Sequence, residues 1–297
     1  MTSDFFCSTQ SIAHGESQFA SAPRADVWVL LEHQGPWGAQ AFAESRVPDA
    51  VKAHVDGWLR AIPRARLQLI RRLPRPPAGE RQLFVALARE TDPALYRVPF
   101  QDYGDLLALD LPALLAGAQS TPALEPARQL FLVCGNARRD KCCGKFGPPV
   151  YERFDQEAGS AVWQTTHLGG HRFAPTGAWL PYGLCFGRMA PDDVTGWLDA
   201  CRAGRIDLAH ARGRSCYTPA EQAAEYLLRT QTAETLLGAY RRLDTREVAP
   251  DEWEIAFAAA DGTRHAVRVA HARTGVWGYE SCRAEKQVEI KRWQIAD

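Results

Sequence analysis

"LFLVCGNARRDKCCGKFGPPVYERFDQEAGSAVWQTT" (residues 130–166) reads as strand, loop, helix, strand. Residues 130–134 form a short apolar run suited to a buried strand, and residues 160–166 form a second strand. The helix between them is expected to begin near Pro148–Pro149, because proline suits a first turn, and to close at Gly159. In such a unit the strands run parallel, usually as neighbours, with a right-handed crossover. Cys134 ends the first strand and Cys143 lies in the loop after it. His167 ends the second strand and His171 lies in the loop beyond. All four side chains are therefore expected at the carboxyl edge of the strands, where open α/β sheets place their ligands.

The same order of elements recurs on both sides of this unit. Upstream, "DVWVLLE" (26–32) is a strand, Pro48–Ile62 a helix with Val51, Val55, Leu59 and Ile62 on one face, and "LQLIRRL" (67–73) a strand. "RQLFVALA" (81–88), "YRVPF" and "LLALD" follow as strands, the last two weaker, and "PALLAG" as a short helix ending at Gly117. Downstream, "AWLPYGLCFGRM" is a hairpin turning at Pro181–Gly183, and a helix runs from Pro191 to about Gly204. The fold class expected is α/β and thioredoxin-like, with the order βαβββα occurring twice. A C-terminal helix and β-rich segment follow. Thr218-Pro219-Ala220-Glu221 is a capping box that opens a long helix to about Arg242. Asp261–Gly262 marks a hairpin, and "KQVEIKRWQI" supplies a further strand. The expected units are an N-terminal half without metal ligands (1–125), a ligand-bearing half (126–212) and the C-terminal segment (213–297).

Composition narrows the function. The chain has 297 residues, 46% of them hydrophobic and 24% charged, which suits a globular protein with a real core. Its formal net charge is zero, which argues against nucleic-acid binding driven by bulk charge. No apolar run is long enough to span a membrane, and the first residues lack the pattern of a secretory leader, so a cytoplasmic location is expected. The eight cysteines are scattered, which does not suggest a disulfide scaffold.

Two thiolates and two imidazoles suit either tetrahedral zinc or a 2Fe–2S cluster with mixed ligation. Gly169 and Gly170 argue against a helix across His167–His171, which sets aside the helical histidine pair of zinc proteases. The eight-residue gap between Cys134 and Cys143 is wider than zinc fingers use and favours the larger group. Arg138, Arg139 and Lys141 are expected to lower the thiol pKa values. Backbone amides of the glycine loops are expected to point at sulfur.

"VCGNARRDKCCGKFG" with "VWQTTHLGGHRFAPTGAWLPYGLCFGR" resembles the sucrase/ferredoxin-like family, a branch of the thioredoxin-like ferredoxins. "CSTQSIAHGESQFASAP" and "WVLLEHQGPWG" resemble the opening of its bacterial members. The resemblance spans roughly residues 5–205. It implies a 2Fe–2S cluster held by a C-x8-C pair and an H-x3-H pair, here Cys134, Cys143, His167 and His171. Cys142 adjoins Cys143 and is an alternative ligand. No carbohydrate chemistry is implied by the family's name.

The function expected from these residues is one-electron transfer or redox sensing. The neutral imidazoles would raise the potential, and their N–H groups would couple it to protons. Thr165, Thr166 and Arg172 are the polar candidates to fix the ring tautomers. The alternatives are a structural zinc protein using the same ligands, or a thiol–disulfide oxidoreductase. The latter lacks a Cys-x2-Cys at the first strand-to-helix turn. The chain reads as a carrier more than a stand-alone enzyme, and no Gly-x-Ser-x-Gly elbow supports a hydrolase. A redox partner protein is expected to dock near Arg138, Arg139, Lys141 and Lys145, with no role for nucleic acid or membrane. Cys185 and Cys201 read as core thiols, and Cys7, Cys216 and Cys282 as structural. Trp163 and Trp179 flank the histidine loop as packing residues. The remaining histidines lack companions at ligand spacing.

Overall fold

The computed structural model describes residues 5–74, 79–118 and 124–296. The basic segment around Pro74–Glu80 falls partly outside the described residues. A short helix, α1 (Cys7–Ala13), precedes the first strand, β1 (Val27–Glu32). Then come α2 (Asp49–Ala61), β2 (Ala65–Arg71), β3 (Arg81–Leu87) and β4 (Ala94–Phe100). A 3-10 turn over Tyr103–Ala108, α3 (Leu111–Leu115) and β5 (Glu125–Ala127) close the first half. The second half holds β6 (Leu130–Cys134), α4 (Lys141–Ala158), β7 (Val162–Thr165), β8 (Gly177–Leu180), β9 (Leu184–Phe186), α5 (Val194–Arg202) and β10 (Ala211–Arg214). After α6 (Pro219–Thr232) come β11 (Tyr240–Ala249), β12 (Glu252–Ala259), β13 (Arg264–Gly278) and β14 (Val288–Ile295).

The protein is mixed α/β. Ten strands form one mixed sheet in the order β10-β9-β8-β6-β7-β2-β1-β3-β4-β5, and β11 to β14 form a separate antiparallel sheet. Within the large sheet, β1 pairs in parallel with β2 and antiparallel with β3, while β6 pairs in parallel with β7 and antiparallel with β8. The second half thus repeats the pairing of the first, and the halves join where β2 meets β7 antiparallel.

Alternation along the strands decides which side chains face which layer. In β1, Val27, Val29 and Leu31 pack with α2 residues Val51, Val55 and Trp58. In β6, Phe131 and Val133 pack with Val150 and Phe154 of α4 and with Trp197 of α5. The intervening residues of both strands, Trp28 and Leu30 with Leu130, Leu132 and Cys134, share one inner core. Cys134 is therefore directed into the core common to both halves. Trp163 lies in the same core and Trp179 beside Phe131, so both pack as expected. A further core joins α6 to the antiparallel sheet through Ala224, Leu228, Ile255 and Phe257.

Three sequence expectations need correction. The helix expected from Pro148–Pro149 begins at Lys141, with both prolines in its interior. Asp140 caps it by accepting the Cys142 N–H at 2.8 Å, and this cap rather than proline sets its start. Cys143 thus lies in a helical first turn, not in a loop. "LLALD" is not a strand: the 3-10 turn occupies Tyr103–Ala108, where the Asp105 carboxylate accepts the backbone N–H groups of Gln101 and Asp102 at 3.0 and 2.9 Å. The helix opened by the Thr218 box stops at Thr232, because Ala233 turns left-handed at φ 55° and the chain from Tyr240 joins β12.

Candidate metal centre

Cys134 and Thr165 are register partners on the parallel strands β6 and β7, so His167 lies just past the level of Cys134. The ladder continues through the Gly135 N–H, which donates to the Thr165 carbonyl at 3.1 Å. The start of α4 rests on this strand end. A Cβ on Gly147 would lie 2.0 Å from the Cys134 carbonyl oxygen, so only glycine permits the approach. The same docking sets Cys143, one turn earlier, beside Cys134.

Ligand-capable atoms of Cys134, Cys143 and His167 lie within 4.8 Å of one another. Cys143 Sγ is 3.9 Å from His167 Nδ1, and the other ring nitrogen of His167 is 3.2 Å from His171 Nδ1. His171 thus stands behind His167, outside that group of three, and its Nε2 is 3.9 Å from Asp140 Oδ2. Cys142 points elsewhere: its sulfur lies with Cys7 and Cys282. Cys134 and Cys143 are buried and both histidines are half-buried.

The two sulfurs are coupled, and their pKa values move in opposite directions. The hydrogen bond from Cys143 holds the Cys134 thiol well below its usual range against the opposing effect of burial, with His167 and the Asn136 backbone N–H adding to the effect. The same bond, with burial, pushes Cys143 up. Burial lowers His171 to about 4, which keeps its ring neutral. Arg138, Arg139 and Lys141, expected to drive the thiol shifts, do not lead them. Arg138 and Arg139 are exposed, and Lys141 and Lys145 lie over the Phe6 ring at 4.8 and 4.2 Å.

The residues expected to orient the rings bond elsewhere. Thr165 Oγ1 donates to the Leu69 carbonyl, Thr166 Oγ1 to Gln68 Oε1, and Arg172 Nε to Glu16. The histidine loop is instead held through its backbone by two arginines that sequence reasoning missed. Arg66 donates to the His167 carbonyl at 3.3 Å, and Arg212 donates to the Gly169 carbonyl at 3.0 Å. Arg212 is 1% exposed and fully desolvated, which lowers its pKa to about 10, partly offset by the facing thiols Cys185 and Cys143. Its guanidinium would lie 2.3 Å from a Cβ on Gly170, whose φ of 69° also favours glycine. Two lone arginines far apart in sequence carry no ligand-spacing signal. A groove of about 480 Å³ between the halves, lined by Phe42, Arg66, Gln68, Asn136 and Arg139, reaches His167 from one side.

Residues 19–213 match the model of the sucrase/ferredoxin-like family. Two curated relatives are both called altered inheritance of mitochondria protein 32. The one from Meyerozyma guilliermondii is 35% identical over 81 residues, covering 24% of this chain and 29% of that protein. The one from Debaryomyces hansenii is 32% identical over 82 residues, covering 24% and 30%. The matched segment spans less than a third of either relative's length. No solved structure matches. These findings correct the expected function. The relatives are named for altered inheritance of mitochondria and not for electron transfer, and what the Cys–His group has is geometry alone. Neither electron transfer nor redox sensing is supported by them, nor are the structural-zinc and thiol–disulfide alternatives, and the vicinal Cys142 and Cys143 face different groups.

Proposed function

The chain belongs to the sucrase/ferredoxin-like family, and from that premise we propose that it is a metal-cofactor-binding protein, with Cys134, Cys143, His167 and His171 as the residues that hold the group. The observation that carries this reading is the convergence of two buried sulfurs and an imidazole nitrogen within 4.8 Å, from strand ends and a helix start far apart in sequence. The donor set fits the 2Fe–2S cluster proposed as the cofactor: soft thiolates with imidazoles in support. When bound, such a group supplies iron centres whose charge and potential depend on these donors.

The chain's own residues do the rest. Cys134, whose thiol pKa is lowered by its bond to Cys143, is the readier of the two to ligate as a thiolate, and Cys143 would give up a proton when the group binds. His167 presents Nδ1 on the thiol side, and His171 must turn toward the same space to ligate. Arg66 and Arg212 hold the loop and supply positive charge around an anionic site. The strand order is consistent with the finer proposal that each half is a thioredoxin-like unit. A partner protein would meet the exposed Arg138 and Arg139 beside the groove.

The test is anaerobic purification with iron, sulfide and zinc analysis. Iron and sulfide in equal amounts are expected in the wild type and are lost in Cys143→Ser and His167→Ala. Protein free of iron and sulfide, or variants that retain both in full, refutes the proposal. His171→Ala decides whether the fourth residue ligates.

A further inference from the structure

A second thiol cluster lies beside the first. Cys7 opens α1, Cys142 lies in the first turn of α4, and Cys282 lies between β13 and β14. Their sulfurs form a triangle: Cys142 to Cys282 is 3.2 Å, Cys7 to Cys142 is 3.6 Å, and Cys282 to Cys7 is 3.6 Å. These separations far exceed the roughly 2.05 Å of a disulfide, and all three cysteines are free. Asp140, 0% exposed, completes the group, with ligand-capable atoms of all four residues within 4.8 Å of one another. Its carboxylate oxygens also fix the frame, accepting the Cys142 N–H at 2.8 Å and the Cys282 N–H at 2.9 Å.

We propose that Cys7, Cys142, Cys282 and Asp140 form a mononuclear zinc site, separate from the Cys134–His171 centre, that ties both ends of the chain to the start of α4. Tetrahedral zinc with Zn–S bonds of about 2.3 Å sets its sulfurs roughly 3.8 Å apart, a small expansion of the triangle present here. Three sulfurs and one carboxylate oxygen make a closed four-donor set, as structural zinc sites use. A dication also answers the burial of Asp140, since a buried carboxylate is costly without a compensating charge. The nearest cation-capable atom described for it is His171 Nε2 at 3.9 Å.

Packing alone gives this corner little. Among the described residues, its apolar cluster has Cys7, Cys142 and Ala174 as buried members, edged by Phe5, Phe6, Phe146 and Cys282. Zinc binding free energy contributes directly to folding where a core is this small. Cys7 and Cys282 both lie outside residues 19–213, so two of the four donors fall outside the family match.

The experiment uses the full chain, purified under reducing conditions with Zn²⁺ supplied and without chelator. Zinc per chain is measured in the wild type, in Cys7→Ser and Cys282→Ser, and in Cys134→Ser and His167→Ala. One equivalent is expected in the wild type and in the last two variants, and none in the first two. Cys282 is only partly buried in a loop, so its serine variant is expected to fold, which far-UV circular dichroism checks. Zinc-edge absorption should show three sulfurs and one lighter donor. A shell of two sulfurs and two nitrogens, unchanged zinc in Cys7→Ser and Cys282→Ser, or zinc-free wild type with a disulfide within the triangle would each overturn the proposal. Loss of iron and sulfide at the other centre leaves the zinc count unchanged, so the two proposals fail independently.

Discussion

Gly147→Ala tests whether the docking of α4 on β6 assembles the Cys134–Cys143 pair. The new Cβ would stand 2.0 Å from the Cys134 carbonyl oxygen and 3.1 Å from its carbon. Both neighbours are backbone and cannot rotate away. Reaching ordinary contact requires the helix to lift by roughly 1–1.5 Å. Cys143, one turn away on the same helix, moves with it. Metal sites tolerate displacements of about 0.5 Å, so the pair should no longer close on a shared group. Metal affinity should fall about 10–100-fold, as when other groups that orient ligands are lost. Overpacking should also cost about 1–3 kcal/mol. At about 2 °C per kcal/mol for a chain of this size, the melting midpoint should drop by roughly 2–6 °C. The control is Gly196→Ala on α5, where an added Cβ meets nothing within 4 Å. It should gain about 0.5–1 kcal/mol from helix propensity and keep its metal. Metal analysis and thermal circular dichroism read both variants. A Gly147→Ala protein that melts with the wild type and holds full metal would refute the reasoning.

Other expectations concern the frame. Glu225, buried on α6, pairs with Arg214 at 2.9 Å and Arg229 at 3.0 Å, and all three are nearly inaccessible. Glu225→Ala strands two buried guanidinium groups and should cost about 3–5 kcal/mol in urea unfolding, and a loss under 1 kcal/mol would show that water reaches them. His210 Nδ1 is 3.0 Å from Asp207 and Nε2 is 3.2 Å from Asp193; burial disfavours its charge, yet the two carboxylates raise its pKa overall. A raised folded pKa means the stabilisation is full below the unfolded value near 6.5 and fades as pH rises through the folded one. His210→Asn should therefore lose more stability at pH 5.5 than at pH 9, and equal losses would sink this account. In the capping box at α6, Glu221 Oε2 accepts the Thr218 N–H at 2.7 Å and Thr218 Oγ1 accepts the Glu221 N–H at 3.3 Å, so Thr218→Ala should cost about 1 kcal/mol by chemical denaturation.

Local rules served where the chain obeys local forces. The apolar run at 130–134, the Asp261–Gly262 turn and the Pro181–Gly183 turn each sit where sequence places them, because strand alternation and turn chemistry act within a few residues. The parallel pairing of β6 with β7 follows from connection rules and already brings the Cys134 and His167 strand ends together. The start of α4 was misplaced because two prolines resemble a first turn, while the Asp140 cap that decides the matter is a single residue in a charged loop. Cys7 and Cys282, expected to be structural, give no sign in the sequence that they meet, because a spacing of 275 residues carries no signal. Their meeting depends on how the antiparallel sheet packs, which sequence periodicity does not encode. Arg66 and Arg212 escaped notice for the same reason, since a buried guanidinium is recognised only by the carbonyls it finds.

The junction between the halves rests on two register pairs, Ile70 with Thr165 and Arg71 with Gln164, continued by the Thr166 N–H to Leu69 carbonyl bond at 2.9 Å. The strand that leads into His167 therefore has its outer rim covered by a half that supplies none of the four ligands. Cut away that half, and β7 becomes a bare template ready to recruit another molecule edge to edge. That portion, which holds none of the four proposed cluster donors, is thus a chaperoning wall for the histidine strand, and a fragment lacking it is expected to self-associate before it can hold a cluster.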